Sequence, residues 1–319
     1  MNRLPYIFCA LFLTTLLVSS CETTEKIDDF PRRPSKLVVN SFFTADSLWE
    51  IQVSKSLSVL DNADLQKINN ASIDIYKNSE LIDTIRGAGT DGWYRSGLYP
   101  PEEGENYSIE VSAPGFSNII YAEDVAPEPV PISNVSFTLI DSSFYFSHHQ
   151  AIIGEEYYTP VYGTIEGTFN ITFSDPGTRE NYYMLSLFSY YKYYDFEDST
   201  IAYHEKRDIS FTTNDPVAGN NDDSYISSLL FNDDFFNGQN YQLKVTIMDW
   251  DATLDKEYVF ELMSINKAGY LYRRSVEEYQ NSKGDPFSEP VRIYSNIENG
   301  FGIFAGYAVD SYTFQLFNE

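Results

Sequence analysis

Apolar and polar residues alternate along most of this chain with the period of two that a half-buried β-strand requires. From Lys36 to about Ala126 the alternating runs are short. Leu37 to Phe43 opens the series, and Leu48 to Ser54 follows with Trp49, Ile51 and Val53 on one face. Ile73 to Tyr76 and Leu81 to Ile85 flank Asn78-Ser79-Glu80, a hairpin-turn sequence. Gly92 to Arg95, Tyr107 to Val111 and Ile119 to Ala122 complete the set. About seven short strands in about ninety residues predict an immunoglobulin-like β-sandwich over 36–126. Gly104-Glu105-Asn106-Tyr107 matches the tyrosine corner of such sandwiches, in which the phenol bonds back to upstream backbone.

Ala126-Pro127-Glu128-Pro129-Val130-Pro131 interrupts the alternation. Alternate prolines favour a stiff, extended connector, so 127–131 is expected to hold two domains apart. Beyond it, 132–319 stays β-rich with longer strands, among them Gly163 to Phe173, Tyr182 to Tyr194, Tyr241 to Trp250 and Tyr258 to Ile265. One helix is expected near 266–281. Ser264 or Asn266 can cap it, Ala268, Leu271, Tyr272, Ser275 and Tyr279 recur at helical spacing, and Gly284 and Pro286 follow. The expected fold class is therefore mainly β: an N-terminal immunoglobulin-like sandwich followed by a larger antiparallel β-sandwich or open barrel with one packed helix.

The first twenty residues depart from this texture. Arg3, the apolar run Tyr6 to Val18 and the small residues before Cys21 read as a signal peptide over 1–20. Val18-Ser19-Ser20-Cys21 resembles a bacterial lipobox, which makes Cys21 the lipidated first mature residue. The polar stretch 21–35 reads as a tether, with Glu22, Glu25, Asp28 and Asp29 close behind the lipid. Of the two cysteines, Cys9 leaves with the signal, so no disulfide is available and stability must come from the core. The 26 Tyr and 23 Phe supply the material. A formal net charge of −26 argues against nucleic acid, whose binding needs clustered Lys and Arg. The expected location is the outer membrane, lipid-anchored, at the cell surface or on the periplasmic face.

Enzyme motifs are missing from the sequence. His204-Glu205-x-x-Asp208 has the spacing of a zinc-protease helix, but it ends in Asp and lies in a strand-like run. His148-His149 lies near Glu155-Glu156; adjacent strand residues point apart, so at most one histidine joins a carboxylate on a metal. Asp222-Asp223 and Asp233-Asp234, beside Asn220, Asn221 and Asn232, offer oxygen ligands of the kind calcium takes; solvated loop tips are the alternative. No other cofactor is implied. Tyrosine is the stronger signal. Tyr182, Tyr183, Tyr190, Tyr191, Tyr193 and Tyr194 share one strand region, and alternation divides them between two faces. Tyr190, Tyr191, Tyr193 and Tyr194 are the candidate ligand-binding platform, with core packing as the alternative.

Near the C-terminus, Asp285-Pro286-Phe287-Ser288-Glu289-Pro290-Val291 and Tyr294-Ser295-Asn296-Ile297-Glu298-Asn299-Gly300-Phe301-Gly302-Ile303-Phe304-Ala305-Gly306 resemble the closing signature of the family called domain of unknown function 4249. The lipobox, the acidic tether and Lys36-Leu37-Val38-Val39-Asn40-Ser41-Phe42 fit its opening. The resemblance implies a Bacteroidota lipoprotein encoded beside a TonB-dependent outer-membrane receptor, and supplies no mechanism. Within the signature, Asn299-Gly300 and Gly302 permit positive φ, and Phe301 and Phe304 are expected on either side of a tight reversal. Gly300-x-Gly302-x-x-Ala305 mimics a dinucleotide fingerprint but lacks the βαβ setting. The function expected is a non-catalytic lipoprotein serving such a receptor by ligand capture or complex support. The alternative is a stand-alone surface binder of glycan or peptide.

Overall fold

The computed structural model describes residues 34–58, 64–87, 89–145, 148–150, 156–158, 162–194, 201–218, 224–253, 256–283 and 289–316. Ser35–Glu319 forms one compact unit. Its first strands are β1 (Leu37–Phe43), β2 (Trp49–Lys55), β3 (Gln66–Lys67), β4 (Ser72–Lys77), β5 (Glu80–Arg86), β6 (Trp93–Ser96), β7 (Asn106–Ser112) and β8 (Ile120–Val125). There follow β9 (Ile132–Tyr145), β10 (His148–Gln150), β11 (Glu156–Tyr158), β12 (Tyr162–Ser174), β13 (Tyr182–Tyr194), β14 (Ile201–Asp208), β15 (Phe211–Thr212) and β16 (Ser228–Asn232). The chain ends with β17 (Asn240–Ala252), β18 (Glu257–Ile265), α1 (Lys267–Ser282) and β19 (Phe301–Gln315).

The first sandwich forms as its alternation dictates. Trp49, Ile51 and Val53 are fully buried, facing Ile73, Ile75, Ile109 and Val111 of the sheet β5-β4-β7-β8. Asn78 and Ser79 take φ of 49° and 71°, the paired positive angles of a turn whose twist suits a two-residue hairpin. Tyr107 is buried, and its hydroxyl accepts the Glu102 N–H at 2.9 Å, which is the tyrosine corner.

The covering sheet of this sandwich is completed from the far end of the chain. β1 pairs antiparallel with β2 and parallel with β19, Val38 facing Phe301 and Phe43 facing Gly306. Parallel neighbours need a long crossover, and here the crossover takes in the rest of the first sandwich and the whole second one. β19 then runs on, and Tyr307 to Gln315 pair antiparallel with β18. The second sandwich sets β14-β13-β18-β19 against β15-β17-β12-β9, a sandwich rather than an open barrel. Its core holds Phe169, Phe173, Tyr183, Phe211, Tyr258 and Phe260.

Three local expectations are corrected by the structure. Phe301 and Phe304 do not flank a reversal: both lie in β19, Phe301 42% exposed and Phe304 buried 4.6 Å from the Phe43 ring. Gly302 has φ 112°, and a Cβ there would lie 1.9 Å from the Val39 carbonyl oxygen. The proline segment is not a spacer. Ala126 and Val130 are buried, the Val130 N–H donates to Ser264 Oγ (3.3 Å) and the Ile132 N–H to Asp310 Oδ2 (2.8 Å). The helix starts one residue past Asn266, whose amide donates to Asp124 Oδ1 (3.0 Å) and the Val125 carbonyl (2.5 Å) instead of capping. Helix α1 buries Gly269 and Ser275, with Tyr272 edge-on to Phe42, while Tyr279 is 43% exposed.

Candidate functional site

β1 and the first part of β19 run in one direction, and β19 continues beyond Phe43. An extended strand of this length spans about 50 Å. Leu37 therefore marks one end of the folded unit and the β17–β18 turn beside Gln315 the other. Aromatic residues lie near that second end on both sheets of the second sandwich. Tyr190 is half-buried on β13, opposite Glu257 and Lys206, with its ring edge-on to Phe188 at 5.5 Å. Lys206 Nζ lies 3.6 Å from the centre of the Phe188 ring. The backbone of Tyr191, Tyr193 and Tyr194 pairs with Glu205, Tyr203 and Ile201; their side chains lie outside the described residues, as do those of His148, His149 and His204. Tyr182 and Tyr183, the other members of the run, are structural. Tyr183 is in the core, and Tyr182 lies under α1, 4.8 Å from the Tyr270 ring.

Trp250 was missed by the sequence reading. It is 70% exposed at the end of β17, whose inward positions Leu243, Val245, Ile247 and Asp249 are all buried. The signal was available: an indole on the outward register of a strand that alternates strictly. Beneath it lies a buried ionic cluster. Lys256 Nζ sits 2.6 Å from Asp249 Oδ2, both side chains about 95% buried, and the Tyr258 hydroxyl donates to the same oxygen at 2.6 Å. The Asp251 N–H donates to Asp249 Oδ1 at 3.0 Å, which fixes the turn.

The same device recurs at the opposite end of this sandwich. Tyr183 donates to Asp175, which also accepts the Gly238 N–H; Tyr241 donates to Asp215, which accepts those of Val217 and Ala218. Burial, reinforced by each carboxylate, holds all three phenols well above the usual tyrosine range, so they stay protonated as donors. Part of the tyrosine excess is thus explained by core rings whose hydroxyls tie down turns.

Of the acidic loop residues, Asp222 and Asp223 lie outside the described residues. Asp233 is 2% exposed and accepts the Asn181 N–H (3.0 Å) and Nδ2 (3.1 Å); burial raises its pKa and those bonds oppose the shift. Asp234 is exposed and accepts from Asn232 Nδ2 at 2.8 Å. Among the described residues no group of three or more His, Cys, Asp or Glu is placed to hold a metal. A cleft where the sandwiches meet, lined by Glu128, Arg179, Tyr182 and Asn266, encloses about 10 Å³, room for one water.

No curated protein matches the chain. A family model described as "Domain of unknown function (DUF4249)" matches residues 22–313. That span takes in the parallel β1–β19 pairing, both sandwiches, and the Asn296 side chain that bonds the Phe304 N–H and carbonyl at 3.0 and 2.7 Å. The match covers nearly all of the chain, which therefore belongs to the DUF4249 family.

Proposed function

We propose that this protein is a non-catalytic envelope lipoprotein, held through Cys21 on the outer membrane, that serves a TonB-dependent receptor by capturing ligand or supporting the complex. The observation that carries the reading is polarity along the fold. The chain enters at Leu37, and the exposed Trp250 and half-buried Tyr190 lie at the end farthest from it. An aromatic tip held away from an anchor suits contact with a partner. Purification of the lipidated protein from native envelopes tests it. A β-barrel receptor should co-purify and be depleted several-fold by Trp250→Ala; repeated recovery without any barrel overturns the proposal.

One feature favours stand-alone glycan binding as the second reading. Across the outer face of β9, β12, β17 and β15, Thr138, Thr168, Thr246 and Thr212 stand in one row. Thr168 and Thr246 share a hydrogen bond of 2.9 Å. Trp250 extends the same face, and hydroxyls beside an indole match the polar edges and apolar faces of sugars. Binding of glycans by the purified protein, lost in Trp250→Ala and Thr246→Val, supports this reading over the first.

A further inference from the structure

We infer that the end of the first sandwich where β1 begins is a contact surface for phosphate-bearing lipid headgroups, an inference that rests on the lipid-anchor reading of Cys21. Thirteen residues separate Cys21 from Ser35, a reach of at most about 45 Å when fully extended. This is therefore the end of the fold brought nearest a bilayer by the tether.

Both sheets terminate there. The Ser56 N–H donates to the Lys36 carbonyl (2.9 Å), that of Ile68 to Val53 (3.0 Å) and that of Gly87 to Ala71 (3.1 Å). The Tyr94 hydroxyl accepts from Ala71 and donates to Ile68, linking the start of β4 to the end of β3. Lys36, Lys55 and Arg86 thus share one rim. Among the described residues none of the three takes part in an ion pair. The two cations toward the other end of this sandwich are neutralised: Lys77 by Glu102 and Glu105, Arg95 by Glu50. At the rim itself, Asp91 is taken by Lys67, and among the described residues Asp64 and Glu298 are the acids nearby.

On a chain of net charge −26, three free cations on one rim are a local reversal of sign. They come with apolar side chains out of place in water: Ile119 is 56% exposed, Leu65 51% and Phe301 42%. Lys36 Nζ lies 5.2 Å from the Phe301 ring centre, joining charge and ring in one patch. Cations that meet phosphates beside apolar groups that enter the headgroup layer are the two parts of an interfacial contact. The rest of the surface, dense in carboxylates, is repelled by the same phosphates, which orients the molecule with its aromatic tip outward.

The test uses the chain from Glu22 onward, which keeps the whole folded unit and has no acyl group. Its co-sedimentation is measured with vesicles of phosphatidylglycerol and phosphatidylethanolamine, and with vesicles of phosphatidylcholine alone. Binding to the anionic vesicles, released by 0.5 M salt, is expected. The Lys36→Glu/Lys55→Glu/Arg86→Glu variant should bind at least about tenfold more weakly, since each basic residue near an anionic surface contributes severalfold. These positions lie on the surface, so an unchanged melting curve confirms that the variant folds. Equal binding to both vesicle types, or a variant that sediments like its parent, overturns the inference. So does a variant that keeps vesicle binding but loses an envelope protein from a pulldown, because the rim is then a protein contact. Mass spectrometry of the mature N-terminus tests the anchor separately, since the vesicle assay does not require it.

Discussion

Replacing Lys256 by methionine in the second sandwich should unfold the first sandwich earlier as well. The perturbation is local: methionine keeps most of the volume but removes the ammonium 2.6 Å from Asp249, leaving that carboxylate buried with one hydroxyl and one N–H. Breaking a buried ion pair by deleting one partner costs about 3–5 kcal/mol. With an m-value of about 3 kcal/mol/M, the urea midpoint should fall by about 1–1.7 M. The chain has three tryptophans, and Trp49 and Trp93 both lie in the first sandwich. In a Trp250→Phe background, tryptophan fluorescence therefore reports on the sandwich that was not mutated. Coupling is expected because β19 belongs to both: Phe304 packs in the first core, while Tyr312 and Phe314 pack against the second. The fluorescence transition should shift together with that of far-ultraviolet circular dichroism. A fluorescence midpoint that stays at the parent value while part of the dichroism is lost early would refute this coupling.

Three further outcomes are expected. Gly302→Ala places a methyl 1.9 Å from the Val39 oxygen at a φ of 112°, so soluble yield should collapse or the thermal midpoint fall sharply; parent-like melting contradicts the close β1–β19 approach. Tyr94→Phe orphans the Ala71 N–H and the Ile68 carbonyl, a loss of about 1–3 kcal/mol by urea titration. Asp124, which accepts from Gly306 and Asn266, is pushed up to about 6, chiefly by burial. Its folded pKa exceeds the unfolded value, so the stability linked to its protonation is full below about 4 and lost as pH rises through about 6. Stability should therefore rise between pH 7 and pH 5 by up to about 1.3 kcal/mol from this group, read as a higher urea midpoint, and Asp124→Asn should flatten that rise.

The parts legible in the sequence were those fixed by near neighbours. Period-two alternation located the buried face of Trp49, Ile51 and Val53, and turn chemistry located Asn78-Ser79. The tyrosine corner needed only Tyr107 and backbone five residues upstream. The helix was found to within a residue, and Tyr272 and Ser275 of its expected face are packed, but Tyr279 is exposed and Gly269 was missed: it buries because it has no side chain and lets α1 lie close to Ala305 and Phe42. Spacing of large residues carries no trace of that. The candidate platform was found by counting tyrosines, a count that also included core rings such as Tyr183, whereas the exposed indole of Trp250 needed the face of one particular strand. Least legible was the partner of β1. Alternation says which face of a strand is buried and nothing about which strand lies beside it.

That pairing also dictates an order of events. Val38 waits for Phe301, roughly 260 residues later in the chain, so the sheet begun first is among the last to close. A polypeptide emerging from its N-terminus would hold β1 with one unpaired edge until the final strand arrived, open to chaperones, proteases and stray strands. Loss of the closing strand would leave both sandwiches ajar, so each core depends on the same last strand.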